Sequence, residues 1–230
     1  MTTRYFLRDE HNQIILPTNS MFLLPLNNLD YHIEHGLFEK NIIDWCKQFC
    51  NKGTFIDIGA HTGTYSIELS SFGQVHSFEP QRWTYYGLCG SITLSNKRNI
   101  TAHNIALGSP TQIGKRTLYI PSVDGGGSSL HTIDSPIQTE EVEVRTLDSY
   151  NFTNVTFMKI DVEGNELDVL LGAEQTLRHS RPKILFESNL ESNGTYHNLF
   201  EIKEFLTTLN YDVIQITGVS NMFLATSIKN

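Results

Sequence analysis

Several absences narrow what this chain can be. No stretch is long and apolar enough to span a bilayer. The most apolar early run, Ile14 to Leu26, is short and interrupted by Pro17 and Pro25. No basic start leads into an apolar segment and a small-residue cleavage site, so no secretory leader is read. Cysteine is scarce: the 3 thiols, Cys46, Cys50 and Cys89, are an odd number without a leader, which points to reduced thiols and a cytoplasmic setting. Cys46 and Cys50 stand four apart on one helical face and are expected to be small buried side chains, because no further metal ligands can be placed with them. Without a leader, the Asn-x-Thr patterns at Asn99, Asn151, Asn154 and Asn193 are read as chance. A basic run is also missing. With a formal charge of −8 and scattered Lys and Arg, counterion release has no source, so no nucleic-acid partner is expected. No repeat, low-complexity tract or linker divides the 230 residues, which suffice for one buried core and are thin for two.

What is present is a pattern of alternation. Residues 4 to 16 read as a small hairpin turning near Glu10-His11-Asn12, and 17 to 37 as irregular, so 1–37 is taken as an N-terminal extension to a domain at 38–230. Phe38, Ile42, Ile43, Trp45, Cys46 and Phe49 have helical spacing, and Asn51-Lys52-Gly53 ends that helix. Strands are then expected at 54–58, 75–78, 100–106, 155–161 and 183–187, with helices at 63–72, 82–95, 165–178 and 198–209, and closing strands at 211–217 and 222–227. Residues 115 to 147 break the rhythm with two strands, 116–120 and 141–145, around the flexible Asp124-Gly-Gly-Gly-Ser-Ser129. Such alternation predicts an α/β fold: a mostly parallel sheet, helices on both faces, and ligand binding beyond the carboxyl ends of the strands.

The most informative segment is Phe55-Ile-Asp-Ile-Gly-Ala-His-Thr-Gly-Thr-Tyr-Ser66, a strand, a glycine turn and a helix start. Gly59 permits a sharp turn and Gly63 a close approach to the helix. Glu79 follows the next strand, 22 positions after Asp57, where an acid can accept both ribose hydroxyls of an adenosine. A dinucleotide site requires G-x-G-x-x-G to seat a pyrophosphate on a helix N-terminus. Here the pattern is Asp-x-Gly-x-x-x-Gly, with His61 in place of the middle glycine. S-adenosylmethionine has no phosphate, and its ammonium suits a loop carrying Asp57. The layout therefore favours that cofactor over NAD.

This loop, together with Ser77-Phe-Glu-Pro80, Asn104-Ile-Ala-Leu-Gly108, Phe157-Met-Lys-Ile-Asp-Val-Glu-Gly-Asn-Glu166, Val169-Leu-Leu-Gly-Ala173 and Pro182-Lys-Ile-Leu-Phe-Glu187, resembles the FkbM-type methyltransferases in order and spacing. The likeness runs from about residue 38 to 217, and its Lys-Ile-Asp-Val-Glu-Gly block is the most specific part. The resemblance implies a Rossmann-like class I methyltransferase sheet of seven strands with the last antiparallel. It also implies dependence on S-adenosylmethionine and methylation of hydroxyls on sugars or natural products. Asp57, Gly59, His61, Gly63, Glu79 and Asn104 form the expected cofactor set.

The fourth strand ends at Met158-Lys-Ile-Asp-Val-Glu-Gly164, and alternation places Lys159, Asp161 and Glu163 on one side. Ionisable groups on a buried strand are costly without a use. Three readings stay open. Asp161 or Glu163 is a general base for a hydroxyl acceptor; the acids merely cap the following helix while Lys159 neutralises one; or Asp161, Glu187 and Asn189 hold a divalent cation such as Mg²⁺. His131, after the glycine stretch, is a rival base, with 125–131 either folded over the acceptor or free in solvent. His32, His35 and His197 are read as surface or packing residues. No Asn/Asp-Pro-Pro-aromatic element ends the strand, which favours an oxygen acceptor over an exocyclic amine. The leading expectation is an O-methyltransferase for a sugar or glycan. A non-sugar natural product as acceptor, or a cofactor-binding module without catalysis, are the alternatives, and an NAD oxidoreductase is disfavoured by His61.

Overall fold

The computed structural model describes residues 7–8, 14–15, 22, 31, 34–50, 52–190, 194–219 and 221–228. Strands β1 (Leu7–Arg8) and β2 (Ile14–Ile15) pair antiparallel, as a hairpin over 4 to 16 requires. Its turn at Glu10-His11-Asn12 lies outside the described residues, as do His32, Asn193 and most of 17–33.

The centre is a seven-stranded sheet. In chain order its strands are β3 (Thr54–Ile58), β4 (Gln74–Phe78), β5 (Ile100–His103), β9 (Val155–Ile160), β10 (Lys183–Glu187), β11 (Tyr211–Gln215) and β12 (Met222–Ser227), arranged in space as β11-β12-β10-β9-β3-β4-β5. The pairs β3–β4, β4–β5, β3–β9 and β9–β10 are parallel, whereas β12 runs antiparallel to both β10 and β11. This is the seven-stranded sheet with a reversed last strand that the resemblance implies.

Helices cover both faces, and the period of two along each strand shows why. From β3, Ile56 and Ile58 enter the core shared with α4 (Glu166–Leu171), α5 (Glu174–Ser180) and α6 (Leu199–Thr208), while Phe55 enters the opposite one. That second core joins α1 (Lys40–Cys46) and α2 (Thr64–Leu69), and takes in Phe22, Leu37, Cys46 and Cys50. Burial pushes both of those thiols upward. Helix α3 (Arg82–Leu94) packs beside β5. Among the described residues no helix is long and apolar enough to cross a membrane.

Two departures from the sequence pattern bear on the site. The third strand stops at His103, and the chain leaves the sheet to form β6 (Ala106–Leu107), which joins β7 (Gly114–Ile120) and β8 (Gln138–Arg145) in a separate three-stranded sheet. The helix expected over 165–178 is two helices, broken at Gly172-Ala173. A Cβ on Gly172 would stand 2.0 Å from the Gly108 carbonyl oxygen, so the break is where the chain meets β6. Asp148 then starts α5 from outside, its carboxylate accepting the Gln175 and Thr176 N–H groups.

Candidate active site

A cleft of about 460 Å³ opens over the carboxyl ends of β3, β4 and β9. Its floor is the turn after β3. Gly59 has φ 75°, and a Cβ there would lie 1.7 Å from the Asp161 carbonyl oxygen, so the turn and the end of β9 touch only because the residue is glycine. Gly63 has φ 92° and carries α2 past Leu88, 2.7 Å from where a Cβ would sit. Between them His61 adopts a left-handed backbone at φ 49°. Its N–H donates to Glu79 Oε2 at 2.9 Å, and its Nε2–H to the Asp124 carbonyl at 2.9 Å. Burial lowers the His61 pKa and keeps the ring neutral.

Glu79 is sealed at the end of β4 except toward the cleft. Burial pushes its carboxyl up to about 7, although the N–H groups of Gln81 and His61 both donate to it. Asn104 does not line the cleft: its amide donates to the Glu79 and Pro80 carbonyls, fixing the loop that presents Glu79, and Ile105 and Ala106 take the lining position beside it. Nor does Asp57. Its carboxylate is wholly buried, receives the Ser66 hydroxyl, and is pushed up by burial more than nearby Lys159 offsets. Asp57 thus lies beneath the loop and not on the cleft surface.

Lys159 organises that underside. It is 4% exposed, donates to the Gly59 carbonyl at 2.9 Å and pairs with Asp161 at 2.9 Å. Burial works against its charge, but Asp161 and Asp57 outweigh burial and hold it well above the ordinary lysine value. It stays protonated and serves as a fixed cation.

Three carboxyl groups gather at the open side: Asp161, Glu163 and Glu187, with one oxygen from each mutually within 4.8 Å. Glu187, pushed up to about 9 by burial and by facing Asp161, keeps its proton and donates it to Asp161. Burial pushes Asp161 up, but Lys159 and the Glu187 hydrogen bond outweigh it and hold Asp161 below the ordinary value. Glu163 is raised, first by burial and then by Asp161. Helix capping is neither acid's task. No side chain caps α4 at Asn165; Glu166, the first residue of that helix, reaches back to accept the Val162 and Gly164 N–H groups of the preceding turn at 3.2 and 3.1 Å, and burial pushes it up to about 7. Asn189, placed with Asp161 and Glu187 in the metal set read from sequence, is exposed and donates its amide to Glu163 Oε2 at 3.3 Å, which brings Glu163 into the same group of acids.

The glycine loop is not loose in solvent. Asp124 to Ser128 roof the cleft, tied to His61 at one end and to Glu163 at the other, where Ser129 Oγ donates to the Glu163 carbonyl at 2.7 Å. Gly125 has φ 79°, and a Cβ there would be 1.8 Å from Gln81 Oε1. His131 lies outside the lining. It is exposed, and its ring packs with that of His197, centroids 6.2 Å apart, both rings beside Gly164.

The family described as the Methyltransferase FkbM domain matches residues 57–213. The chain belongs to the FkbM methyltransferase family. Methyltransferase 1 of Beauveria bassiana (strain ARSEF 2860) is 25% identical over 182 residues, covering 67% of this chain and 72% of that protein. Among solved structures, the FkbM methyltransferase of Methylobacillus flagellatus KT superposes with TM-score 0.54 at 20% identity, covering 76% of this chain. This chain spans only 43% of that one. A precorrin-6y C5,15-methyltransferase from Geobacter metallireducens GS-15 has TM-score 0.53 at 12% identity, covering 90% of this chain and 95% of the other. A SAM-dependent O-methyltransferase from Thermotoga maritima has TM-score 0.51 at 10% identity, covering 94% and 73% respectively. At these identities the solved structures speak for the fold; the family match makes this FkbM chain a methyltransferase dependent on S-adenosylmethionine.

The cleft fits that cofactor chemically. Its lining carries Glu79 at one end and a cluster of acids at the other, with Lys159 the one Lys or Arg among the described lining residues. The cofactor's sulfonium and ammonium are cations, and the cleft offers carboxylates. Sequence reasoning missed Phe38, Glu39 and Tyr65, which also line it. Phe38 and Glu39 sit before the glycine loop, where no local motif marks them.

Proposed function

We propose that this chain methylates a hydroxyl of a sugar or glycan, with Glu163 as the general base. The observation that carries the reading is the carboxyl cluster at the open side of the cleft. Glu163 there is not paired with Lys159 and has its basicity raised by burial. A sugar hydroxyl holds its proton tightly at neutral pH, so transfer gains from a base beside the acceptor oxygen. When bound, S-adenosylmethionine supplies an electrophilic methyl group on sulfur. Asp161, kept ionised by Lys159, lines the cleft beside Glu163 and offers a further acceptor to a polyhydroxylated substrate, while Glu187 spends its proton on Asp161. On this reading the methyltransferase domain runs over 38–230 with 1–37 as an extension, and the enzyme works in a reducing cytoplasm, in keeping with its free thiols. The test is incubation of the chain with isotope-labelled cofactor and a pool of free sugars, glycans and phenolic natural products, read by mass spectrometry. Label only in the phenolic fraction would sink the sugar reading.

A second reading is favoured by the same cluster: three carboxyl oxygens within 4.8 Å suit a hard divalent cation. Against it, Lys159 and the amides of Asn189 and Asn221 already donate to those three groups. Activity is therefore expected to survive a strong chelator. Loss of turnover with EDTA and recovery with Mg²⁺ would make the cluster a metal site.

Glu79 is proposed to accept the ribose hydroxyls. Only the ionised carboxylate accepts at both oxygens, so affinity for S-adenosylhomocysteine should rise as pH rises through about 7. Glu79→Gln should weaken binding by about tenfold or more and flatten that pH dependence. Calorimetry across the pH range reads both, and an unchanged profile would remove Glu79 from the role.

A further inference from the structure

The two ends of the cleft are built from different strands. Glu79 ends β4, on one side of β3; β9 and β10, with Asp161 and Glu187, lie on the other. With the ribose proposed at Glu79, the cofactor's amino-acid tail falls to the far end, and the role of Glu39 rests on that cofactor reading.

Glu39 lines the far end. It stands just before α1 in a left-handed conformation, φ 55°, which turns the chain back toward the sheet. The Tyr65 hydroxyl, from the first turn of α2, donates to Glu39 Oε2 at 2.8 Å. The Tyr65 ring in turn lies 5.3 Å from Lys159 Nζ. Glu39 interacts electrostatically with Lys159, Asp161 and Glu187, which places it with the β9 and β10 acids and not with Glu79. Glu39 is exposed at the cleft, yet the desolvation of its carboxyl there raises it despite the Lys159 charge. Lys159 is already engaged by Gly59 and Asp161, so this end has an excess of negative charge.

We infer that Glu39 receives the α-ammonium of the cofactor's amino-acid tail and so lets the site select a nucleoside carrying that tail over one lacking it. Tyr65 occupies one carboxylate oxygen, and a carboxylate accepts at both. Asp57, the acid of the glycine loop, is too deeply buried for the task. Glu39 precedes the residues that match the family, 57–213, so the tail would be held by a residue outside them.

Calorimetry on the full chain with two probes tests this. S-adenosylhomocysteine carries the tail; 5′-methylthioadenosine keeps the adenosine and thioether without it. Glu39→Gln should weaken the first by about tenfold or more, the scale of a charged hydrogen bond, and leave the second unchanged. Unchanged affinity for S-adenosylhomocysteine, or an equal loss for both probes, would overturn the assignment while leaving the cofactor cleft standing. Wild-type protein binding neither probe would overturn the cofactor reading and this one with it. Should Glu39→Gln not fold, the wild-type chain can be titrated with the S-adenosylhomocysteine analogue whose α-amino group is replaced by hydrogen. Binding about tenfold weaker supports the role, and equal binding refutes it.

Discussion

Lys159→Met is expected to destabilise the fold by about 3–5 kcal/mol at neutral pH, the scale of breaking one partner out of a buried ion pair. Methionine keeps the apolar stem of the side chain and removes the ammonium, so little packing is lost. The variant loses the one cation among acids: Asp161 at 2.9 Å, with Asp57 and Glu39 also within its field. The Gly59 carbonyl loses its donor as well. The pH dependence distinguishes this cause from simple repacking. In the wild type, Lys159 is held above its ordinary value, so its contribution is complete at neutral pH and fades only in strong alkali. Asp161 is held below its ordinary value of 3.8, so the pair's contribution is lost only when acid drives Asp161 through that lowered value. In the variant the orphaned acids should take up protons at milder acidity and relieve the strain of burying charge. The gap between the two proteins should therefore be widest near neutrality and narrow toward acid. Denaturant melts at a series of pH values measure it; a gap below about 1 kcal/mol, typical of an exposed pair, would show that Lys159 is not the keystone of the underside.

The alternation of strands and helices from Gly53 onward is legible in the sequence because the strands have short-range apolar runs and most turns between them carry a glycine, proline or asparagine. The features that escape a sequence reading depend on distant contacts. At the break, Gly172 packs against the Gly108 carbonyl where a side chain would stand, a contact across 64 residues that no local pattern records. Position alone allows Asp161 and Glu163 to cap the next helix, yet no side chain caps it, and Glu166 reaches backward to bind the turn that separates it from them. Glu79 and Gly59, which line the cleft, are marked by spacing, as is Gly63, which does not line it but packs against Leu88. For Asn104 and Asp57 the spacing gives the right neighbourhood and the wrong contact, since it fixes which loop a residue joins but not whether its side chain points to the cleft or beneath it. Glu39 has no signal: it becomes a cleft residue only through Tyr65, 26 positions later.

Glu163→Gln is expected to lower kcat by about 10²–10⁴-fold while leaving cofactor affinity nearly intact, because a base acts in the transition state and contributes little to binding the methyl donor. The geometry distinguishes Glu163 from its neighbours. Asp161 is ionised but held below the ordinary range by Lys159, a poor proton acceptor; Glu187 already holds a proton. Glu163 has no lysine partner, and burial together with the Asp161 charge raises its affinity for a proton. It must be ionised to act, so kcat/KM should fall as pH drops through its raised value, and that limb should vanish in the amide variant. The amide can still accept from Asn189 and the roofing loop, so the cleft should keep its shape and the melting curve should move little. Asp161→Asn should behave differently: it leaves Lys159 buried with less compensation and should lower stability together with rate. A normal rate in Glu163→Gln, with an unaltered acid limb, would transfer the base to another group at the rim, and His131 beside Gly164 would be the next side chain to change.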